Sequence, residues 1–199
     1  MNKPLLIFVM GPTCAGKSTL LESAQERFGN ALGLVEVGKE LRAKYPPEYF
    51  EGQNNPKHTA DEAWEICNTR VWEHFREKKQ VILVDGQPRD VPQVHLCNTE
   101  FTSSHFVKRY LLIDAPIEAR RNRAKAGRSQ EDFEKLAEPR LTNDMIQYYT
   151  VLVELLKIDR KIKVFDTTNS EVMPEHLIMR NIIGWMEHEV ERNKQRLLG

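Results

Sequence analysis

Two glycines, a lysine and a serine stand close together near the start of the chain, in the stretch GPTCAGKS at 11–18. A loop that binds phosphate must point several backbone N–H groups at one anion. Gly11 and Gly16 permit the tight turn, and a helix that follows offers its positive N-terminus. Lys17 would then reach the β- and γ-phosphates of a nucleotide, and the Ser18 hydroxyl would contact Mg²⁺. An apolar run precedes the stretch and a helical pattern follows it, so the spacing predicts a phosphate-binding loop rather than a chance match.

A second polar group follows the apolar run VILVDG at 81–86. Asp85 would end a buried strand, where a carboxylate can hold a water molecule on Mg²⁺. Gly86 would let a ligand approach the backbone, and the planar fork of Arg89 suits a phosphate. Taken alone, Asp85 is equally well interpreted as a helix cap or turn residue, and Arg89 as a solvated surface arginine.

Five arginines are gathered in the second half of the chain. On a helix, Arg120 and Arg123 would share one face, and Arg121 would point about 100° away from Arg120. For any single arginine, a solvated basic face is the better interpretation. Their gathering favours a clamp on the negative charge that develops in phosphoryl transfer. The set is Arg120, Arg121, Arg123, Arg128 and Arg140.

The elements that must position these residues alternate between apolar runs and helical patterns. We predict strands at 5–10, 81–86, 109–116 and 162–168, with a short one near 33–37, and helices at about 16–28, 59–78, 117–126, 132–158 and 174–197. Alternation of this kind predicts a three-layer α/β fold with a five-stranded parallel sheet covered by helices on both faces. Together with the phosphate-binding loop after the first strand, it predicts the P-loop NTPase type. Ligands bind outside the carboxyl ends of such strands. The irregular stretches at 45–58 and 126–131 could be flaps over that edge.

Composition limits the classes of protein that fit. The chain has 199 residues, 40% hydrophobic and 29% charged, with a net charge of zero. This predicts one globular domain and gives no support for binding to nucleic acid or to an anionic membrane. The first apolar run is too short for a signal peptide or a membrane span. Three widely spaced cysteines favour a reducing compartment, and we expect a cytoplasmic monomer.

Several motifs together resemble those of the adenylate kinases, and more broadly of the nucleoside monophosphate kinases. DGQPRDVPQ resembles their DGFPR segment continued to its glutamine, with only the phenylalanine replaced, by Gln87. The resemblance covers nearly the whole chain in the right order. The other matching stretches are GKELRA (38–43), TADEA (59–63), DAPIEARRNR (114–123), GRSQED (127–132) and PRLTNDMIQYY (139–149).

The resemblance implies a reaction and a role for each matching residue. ATP would be the donor, Mg²⁺ the cofactor and a nucleoside monophosphate the acceptor, AMP or dAMP above all. Residues 37–72 would form a monophosphate-binding insertion and 126–132 a short lid. The donor would contact Gly11, Pro12, Thr13, Cys14, Ala15, Gly16, Lys17, Ser18, Thr19, Arg123 and, through the turn at 166–169, Asn169. The acceptor would contact Gly38, Arg42, Thr59, Gly86, Arg89 and Gln93. Lys17, Arg89, Arg123, Arg128 and Arg140 would stabilise the transferring group, and Ser18 (or Thr19) and Asp85 would hold the metal.

The chain departs from the family pattern at several positions, which leaves the acceptor base and sugar open. Cys14 and Ser18 replace usual glycines, Val37 replaces a common threonine, and Lys39 replaces an acid. Two other functions stay open. A P-loop kinase of a small sugar or acid would have no use for Gln93 as a base reader. A non-enzymatic nucleotide-binding switch would leave Arg128 and Arg140 without a task.

Overall fold

The computed structural model describes residues 3–46, 57–126, 133–134, 138–158, 162–167 and 175–195. Five strands form one parallel sheet in the order β2-β3-β1-β4-β5. Side chains of β1 are buried on both faces, which explains why its sequence is a continuous apolar run. The strands are β1 (Leu5–Met10), β2 (Leu32–Val35), β3 (Val81–Asp85), β4 (Val107–Asp114) and β5 (Ile162–Asp166).

Seven α-helices surround the sheet in the described part of the chain. They are α1 (Lys17–Phe28), α2 (Val37–Lys44), α3 (Lys57–Arg76), α4 (Val91–Glu100), α5 (Ile117–Ala126), α6 (Glu138–Ile158) and α7 (Glu175–Gln195). None of these helices combines the length and the apolar character that crossing a membrane requires.

Alternate residues of β1 divide the core into two layers, as a strand period of two requires. Leu6, Phe8 and Met10 pack in one cluster with side chains of α2, α3, α4 and α6. Leu5, Ile7 and Val9 pack in the other cluster with side chains of α1 and α7. The three-layer α/β fold with a five-stranded parallel sheet is therefore confirmed.

The predicted boundaries differ from the observed ones in a few places. The short strand predicted near 33–37 is β2, which ends at Val35 because Val37 already begins a helix. The helix predicted over 132–158 is α6, which begins at Glu138. Helices α2 and α4 were not predicted. The two stretches expected to be flaps are 45–58 and 126–131. Residues 47–56 of the first and 127–131 of the second lie outside the described residues.

Candidate active site

The phosphate-binding loop joins β1 to α1 at the carboxyl edge of the sheet. Gly11 has φ +144°, and a Cβ there would stand 2.1 Å from the carbonyl oxygen of Ile113 on β4. Gly16 is the left-handed N-cap of α1, with φ +103°. Cys14 also adopts a left-handed conformation, with φ 62°, which glycine adopts more readily than other residues. The geometry therefore requires the two glycines of the motif and tolerates Cys14 at some strain.

Lys17 lies over the loop that it follows. Its Nζ donates to the carbonyl oxygens of Gly11, at 2.7 Å, and Pro12, at 3.0 Å. Burial lowers the pKa of this ammonium, and the nearby Asp85 carboxylate acts in the opposite direction. Ser18 and Thr19 follow in the first turn of α1, Ser18 exposed and Thr19 half-buried. The lysine is thus held at the loop by backbone oxygens.

Asp85 ends β3 beside the loop, at the register position that pairs with Val9 of β1. The Gly86 amide donates to the Val9 carbonyl at 2.9 Å, so the turn after β3 is tied to the strand that leads into the loop. Gly86 has φ +73°, which favours glycine. Arg89 Nε donates to the Gly86 carbonyl at 3.0 Å. These contacts bring Asp85 and Arg89 to the side of Lys17.

Four charged side chains from separate segments influence the ionisation of Asp85. Burial raises its pKa; Lys17, Arg89 and Arg42 lower it, and Glu36 raises it further. Arg42 lies on α2 with a guanidinium nitrogen 3.2 Å from the position of a Cβ on Gly38. The fold therefore brings together the predicted donor lysine and both predicted acceptor arginines around one carboxylate.

The donor atoms at this edge suit Mg²⁺. Asp85 Oδ1 is buried and has no hydrogen-bond partner among the described residues, and Ser18 is exposed at the start of α1. Within the described ranges, no group of three or more His, Cys, Asp or Glu side chains could hold a metal ion. Mg²⁺ is commonly bound through one or two protein oxygens together with substrate phosphates, so this donor set fits Mg²⁺ bound with a nucleotide.

Gln93 lies in the first turn of α4 and connects two parts of the site. Asp90 caps this helix by accepting from the Gln93 amide at 2.9 Å. The side chain of Gln93 accepts from the Arg89 amide at 2.7 Å and donates to the Ala60 carbonyl at 3.4 Å. Gln93 therefore holds the arginine turn against α3, close to Thr59. Gln87 is also buried, and its Oε1 has no hydrogen-bond partner in the part of the chain that the structure describes.

Arg123 connects the loop to the end of β5. Its guanidinium donates to the Cys14 carbonyl at 3.3 Å and to the hydroxyl and carbonyl oxygens of Thr167 at 3.2 and 2.9 Å. The buried Thr167 hydroxyl lies 3.0 Å from the carbonyl oxygens of both Ala15 and Asp114. The predicted place of Arg123 beside the donor loop thus has a geometric basis.

Asp144 and Tyr148 of α6 also lie at the site, and the motifs did not single them out. One carboxylate oxygen of Asp144 accepts from the Thr13 amide at 3.0 Å and from the Thr13 hydroxyl. Burial raises the pKa of the Tyr148 phenol to about 12. Its hydroxyl lies 4.0 Å from the position of a Cβ on Gly86. Asp144 and Tyr148 are four residues apart on the helix, and this spacing is too common to identify either of them as a site residue.

Two of the remaining predicted arginines form structural contacts, and a third is exposed. Arg120 is fully buried and donates to the carbonyl oxygens of Ala115 and Leu141, each at 2.9 Å. Arg121 pairs with Glu118 and Glu138. Arg140 is exposed in the first turn of α6. Arg128 and Asn169, which also have predicted roles, lie outside the described residues.

Comparison with known protein families shows which family the chain belongs to. The zeta toxin family matches residues 1–106, more than half of the 199 residues. The chain belongs to the zeta toxin family. The matching segment includes the phosphate-binding loop at 11–18 and the stretch DGQPRDVPQ at 85–93. The match supports a P-loop kinase, and it does not single out the adenylate kinases. No curated protein sequence matches the chain.

Two crystal structures illustrate the likeness to solved proteins that share the fold. A "putative kinase" from Chloroflexus aurantiacus J-10-fl is 15% identical with a TM-score of 0.64, over 94% of this chain and 98% of that one. A sugar kinase from Janibacter sp. is 16% identical with a TM-score of 0.60, over 92% and 95% of the two chains. At this identity the likeness establishes the fold alone. Fold and family together identify a phosphotransferase of the P-loop kinase type.

Proposed function

We propose that this zeta toxin family member transfers the γ-phosphoryl group of ATP to a nucleoside monophosphate, AMP or dAMP above all. The observation that carries the proposal is the convergence of Lys17, Arg42 and Arg89 around Asp85. Lys17 comes from the donor loop, and the arginines come from the two segments that resemble acceptor-binding segments. Two arginines facing a donor loop suit an acceptor that is itself a phosphate.

The acceptor phosphate would act directly as the nucleophile. One of its oxygens forms a bond to the γ-phosphorus of ATP, and the bond from that phosphorus to the β–γ bridging oxygen breaks, giving ADP and a nucleoside diphosphate. An anionic phosphate needs no strong base, so the residues chiefly position the reactants and offset charge. Mg²⁺ would supply charge neutralisation on the donor phosphates when it is bound.

Each group at the edge then has a task. Arg42 and Arg89 bind and orient the acceptor phosphate, while Lys17 stabilises charge on the transferring group. Asp85 and Ser18 hold the metal, and Gln93 fixes the turn that carries Arg89. Arg123 keeps the donor loop against the end of β5, and Arg128 and Arg140 are proposed to close on the transferring group.

The proposal is tested by incubating the protein with ATP, Mg²⁺ and each common ribo- and deoxyribonucleoside monophosphate and identifying the diphosphates by chromatography. We expect AMP or dAMP to give the fastest turnover. Phosphorylation of sugars without any diphosphate product would contradict the proposal, as would the absence of transfer to every acceptor.

Single substitutions test the assigned roles. Lys17→Ala and Arg89→Ala should each lower turnover about a hundredfold or more, because the first removes a charge that stabilises the transferring group and the second removes a charge that orients the acceptor phosphate. Circular dichroism and thermal unfolding should show that both variants fold. Lys157→Ala is a matched control, since this lysine on α6 is exposed and, among the residues that the structure describes, forms an ion pair with Glu154 alone. Wild-type turnover in either site variant would remove that residue from the mechanism.

A kinase for a hydroxyl acceptor is the second candidate, favoured by one observation. Burial raises the pKa of Asp85, which would suit a general base that takes a proton from a hydroxyl group. A sugar kinase from Janibacter sp. is among the solved structures that share the fold. Adding monosaccharides and their acids to the acceptor panel separates the two candidates.

A further inference from the structure

A second concavity lies at the opposite edge of the sheet, where the strands begin. It is a groove of about 920 Å³, within the range of small-molecule sites, which is roughly 300–1,000 Å³. The start of β1, the end of α3, the turn before β4 and the end of α7 form its walls. The lining residues are Lys3, Pro4, Phe75, Arg76, Lys78, Lys79, Gln80, Ser104, His105, Val190, Asn193 and Lys194.

The groove concentrates positive charge in a chain whose net charge is zero. Five lysine or arginine side chains and one histidine line it, and none of its described lining residues is acidic. Lys79 and Lys194 each lie 3.8 Å from a carboxylate oxygen, of Glu77 and Glu191 respectively. Lys3, Arg76 and Lys78 form no ion pair with a residue in the described ranges. The positive potential is therefore only partly offset by neighbouring groups.

Helix ends account for part of this arrangement. Arg76 and Lys194 lie in the last turns of α3 and α7, where cations stabilise the helix dipole. Lys3 precedes β1, however, and its Nζ donates to the Ser103 carbonyl at 2.6 Å. Lys78 occupies a left-handed turn with φ 58°. The cations therefore converge from separate segments, which helix capping does not require.

The apolar part of the lining limits the kind of ligand. Pro4, Phe75 and Val190 contribute apolar surface between the cations. The ring of Phe75 packs against Trp72 and Phe106, with centroid separations of 5.2 Å in each case. An occupied ring of this kind is not the open stacking platform that single-stranded nucleic acid uses. The combination suits one small anion that has an apolar body.

We propose that this groove, defined by Lys3, Arg76, Lys78, Lys79 and Lys194, binds a small phosphate ester whose body has an apolar face, the class to which nucleotides belong through the face of the base. The phosphates would lie among the cations, and the body would lie on Pro4, Phe75 and Val190. The site is separate from the phosphate-binding loop at the other edge of the sheet. The proposal does not depend on which acceptor the active site uses.

Lysine labelling tests the proposal and reports on the two sites separately. The wild-type protein is acetylated at about 0.15 M salt with and without ATP, and the extent at each lysine is read by mass spectrometry. ATP should lower labelling several-fold at Lys3, Lys78, Lys79 and Lys194 and leave Lys157 unchanged. Protection of Lys17 reports on the active site alone. Groove lysines that label like Lys157 would overturn the proposal, whatever happens at Lys17.

Two further arms test the ligand class and the position. Tripolyphosphate and adenosine should each protect the groove lysines much less than ATP does. Tripolyphosphate has the phosphates without the nucleoside, and adenosine has the nucleoside without the phosphates. Equal protection by tripolyphosphate would overturn the assignment to an ester with an apolar body.

An Arg76→Gln, Lys78→Gln double variant should lose ATP protection at Lys3, Lys79 and Lys194 but keep it at Lys17, and Lys157→Gln should behave as wild type. Retained protection in the double variant would count against the groove.

Discussion

Asp85 carries an electrostatic conflict, because a carboxylate at the end of a buried strand must stay ionised to serve a metal. Burial raises its pKa above the ordinary 3.8. The ionised form therefore costs stability at neutral pH, whereas at a pH below the ordinary value the carboxyl group is protonated in both folded and unfolded states and this cost is absent. The cost rises as the pH rises through the pKa of the folded state.

Asp85→Asn should therefore stabilise the fold and impair the reaction. We expect a higher Tm than wild type at pH 7, with about 2–4 °C for each kcal/mol gained, and a difference that shrinks toward pH 4. Turnover should fall about 10–100-fold as metal positioning is lost. Thermal unfolding at several pH values and steady-state kinetics measure both effects. A variant that is less stable than wild type at pH 7 would show that Lys17 needs the ionised carboxylate for folding.

Cys14 offers a direct report on the phosphate-binding loop. It is half-buried, whereas Cys67 and Cys97 are buried in the core, and burial raises the pKa of both core thiols. A thiol reagent should therefore modify Cys14 alone in the folded protein, and ATP should slow that reaction several-fold. Cys14→Gly should abolish labelling and raise the free energy of unfolding by about 1 kcal/mol, since it removes a left-handed non-glycine residue. An unchanged labelling rate with ATP would contradict nucleotide binding at this loop.

The backbone geometry of the loop could be predicted from its contiguous motif, whereas contacts between residues far apart in sequence could not. Gly11 and Gly16 follow from the turn that the loop requires, and their positive φ angles agree with this. Asp144 contacts Thr13 across 131 positions of sequence, and nothing in its local pattern indicates that contact. Gln93 was predicted to read an acceptor base, but its side chain also holds the Arg89 amide, a role that only tertiary structure reveals.

At the scale of elements, α6 braces the phosphate-binding loop through Asp144. Asp144→Ala leaves the Thr13 amide and hydroxyl without this acceptor, which should lower the free energy of unfolding by about 1–3 kcal/mol. It should also raise KM for ATP more than it lowers kcat, because a looser loop binds the donor less well. Asp144→Asn retains an acceptor oxygen and should lie between Ala and wild type.

Kinetics with varied ATP concentration and denaturant unfolding measure these effects. Asn143→Ala is the matched control, because Asn143 is the exposed neighbour on the same helix. Loss of stability with an unchanged KM for ATP would show that the contact supports the fold without shaping the donor site.

Helices α2 and α4 show where sequence patterns were insufficient. Helix α4 has helix-start signals, an Asp90 side chain that caps it and a proline in its first turn. The same residues also match the acceptor-binding motif, which does not itself indicate a helix. Helix α2 has only eight residues, contains Gly38 and has no side-chain cap, so tertiary packing of Val37 and Leu41 stabilises it rather than intrinsic propensity. Long apolar strands were predictable because burial on both faces leaves an unbroken run.

At the scale of the whole molecule, charge is distributed between the two edges of the sheet while the total stays at zero. The carboxyl edge gathers Lys17, Arg42 and Arg89 around Asp85, and the opposite edge gathers the cations of the groove. Some of the acidic residues that balance these cations lie close to them, as Glu77 and Glu191 do beside the groove. A neutral total gives little long-range repulsion between molecules near pH 7, where the sequence has its isoelectric point of about 7.0.

This neutrality coincides with an exposed apolar stripe on α6, so we expect weak self-association that is strongest near pH 7. Ile146, Tyr149, Val153 and Leu156 are 65%, 48%, 54% and 53% exposed, and their spacing matches a coiled-coil seam. Val153→Glu should lower the concentration-dependent light scattering at pH 7, because it places a charge in the stripe. Gln147→Glu changes the net charge equally but lies beside the stripe, so it should have a smaller effect. Equal effects of both substitutions would attribute the association to net charge alone, and scattering that does not rise with concentration would contradict the association itself.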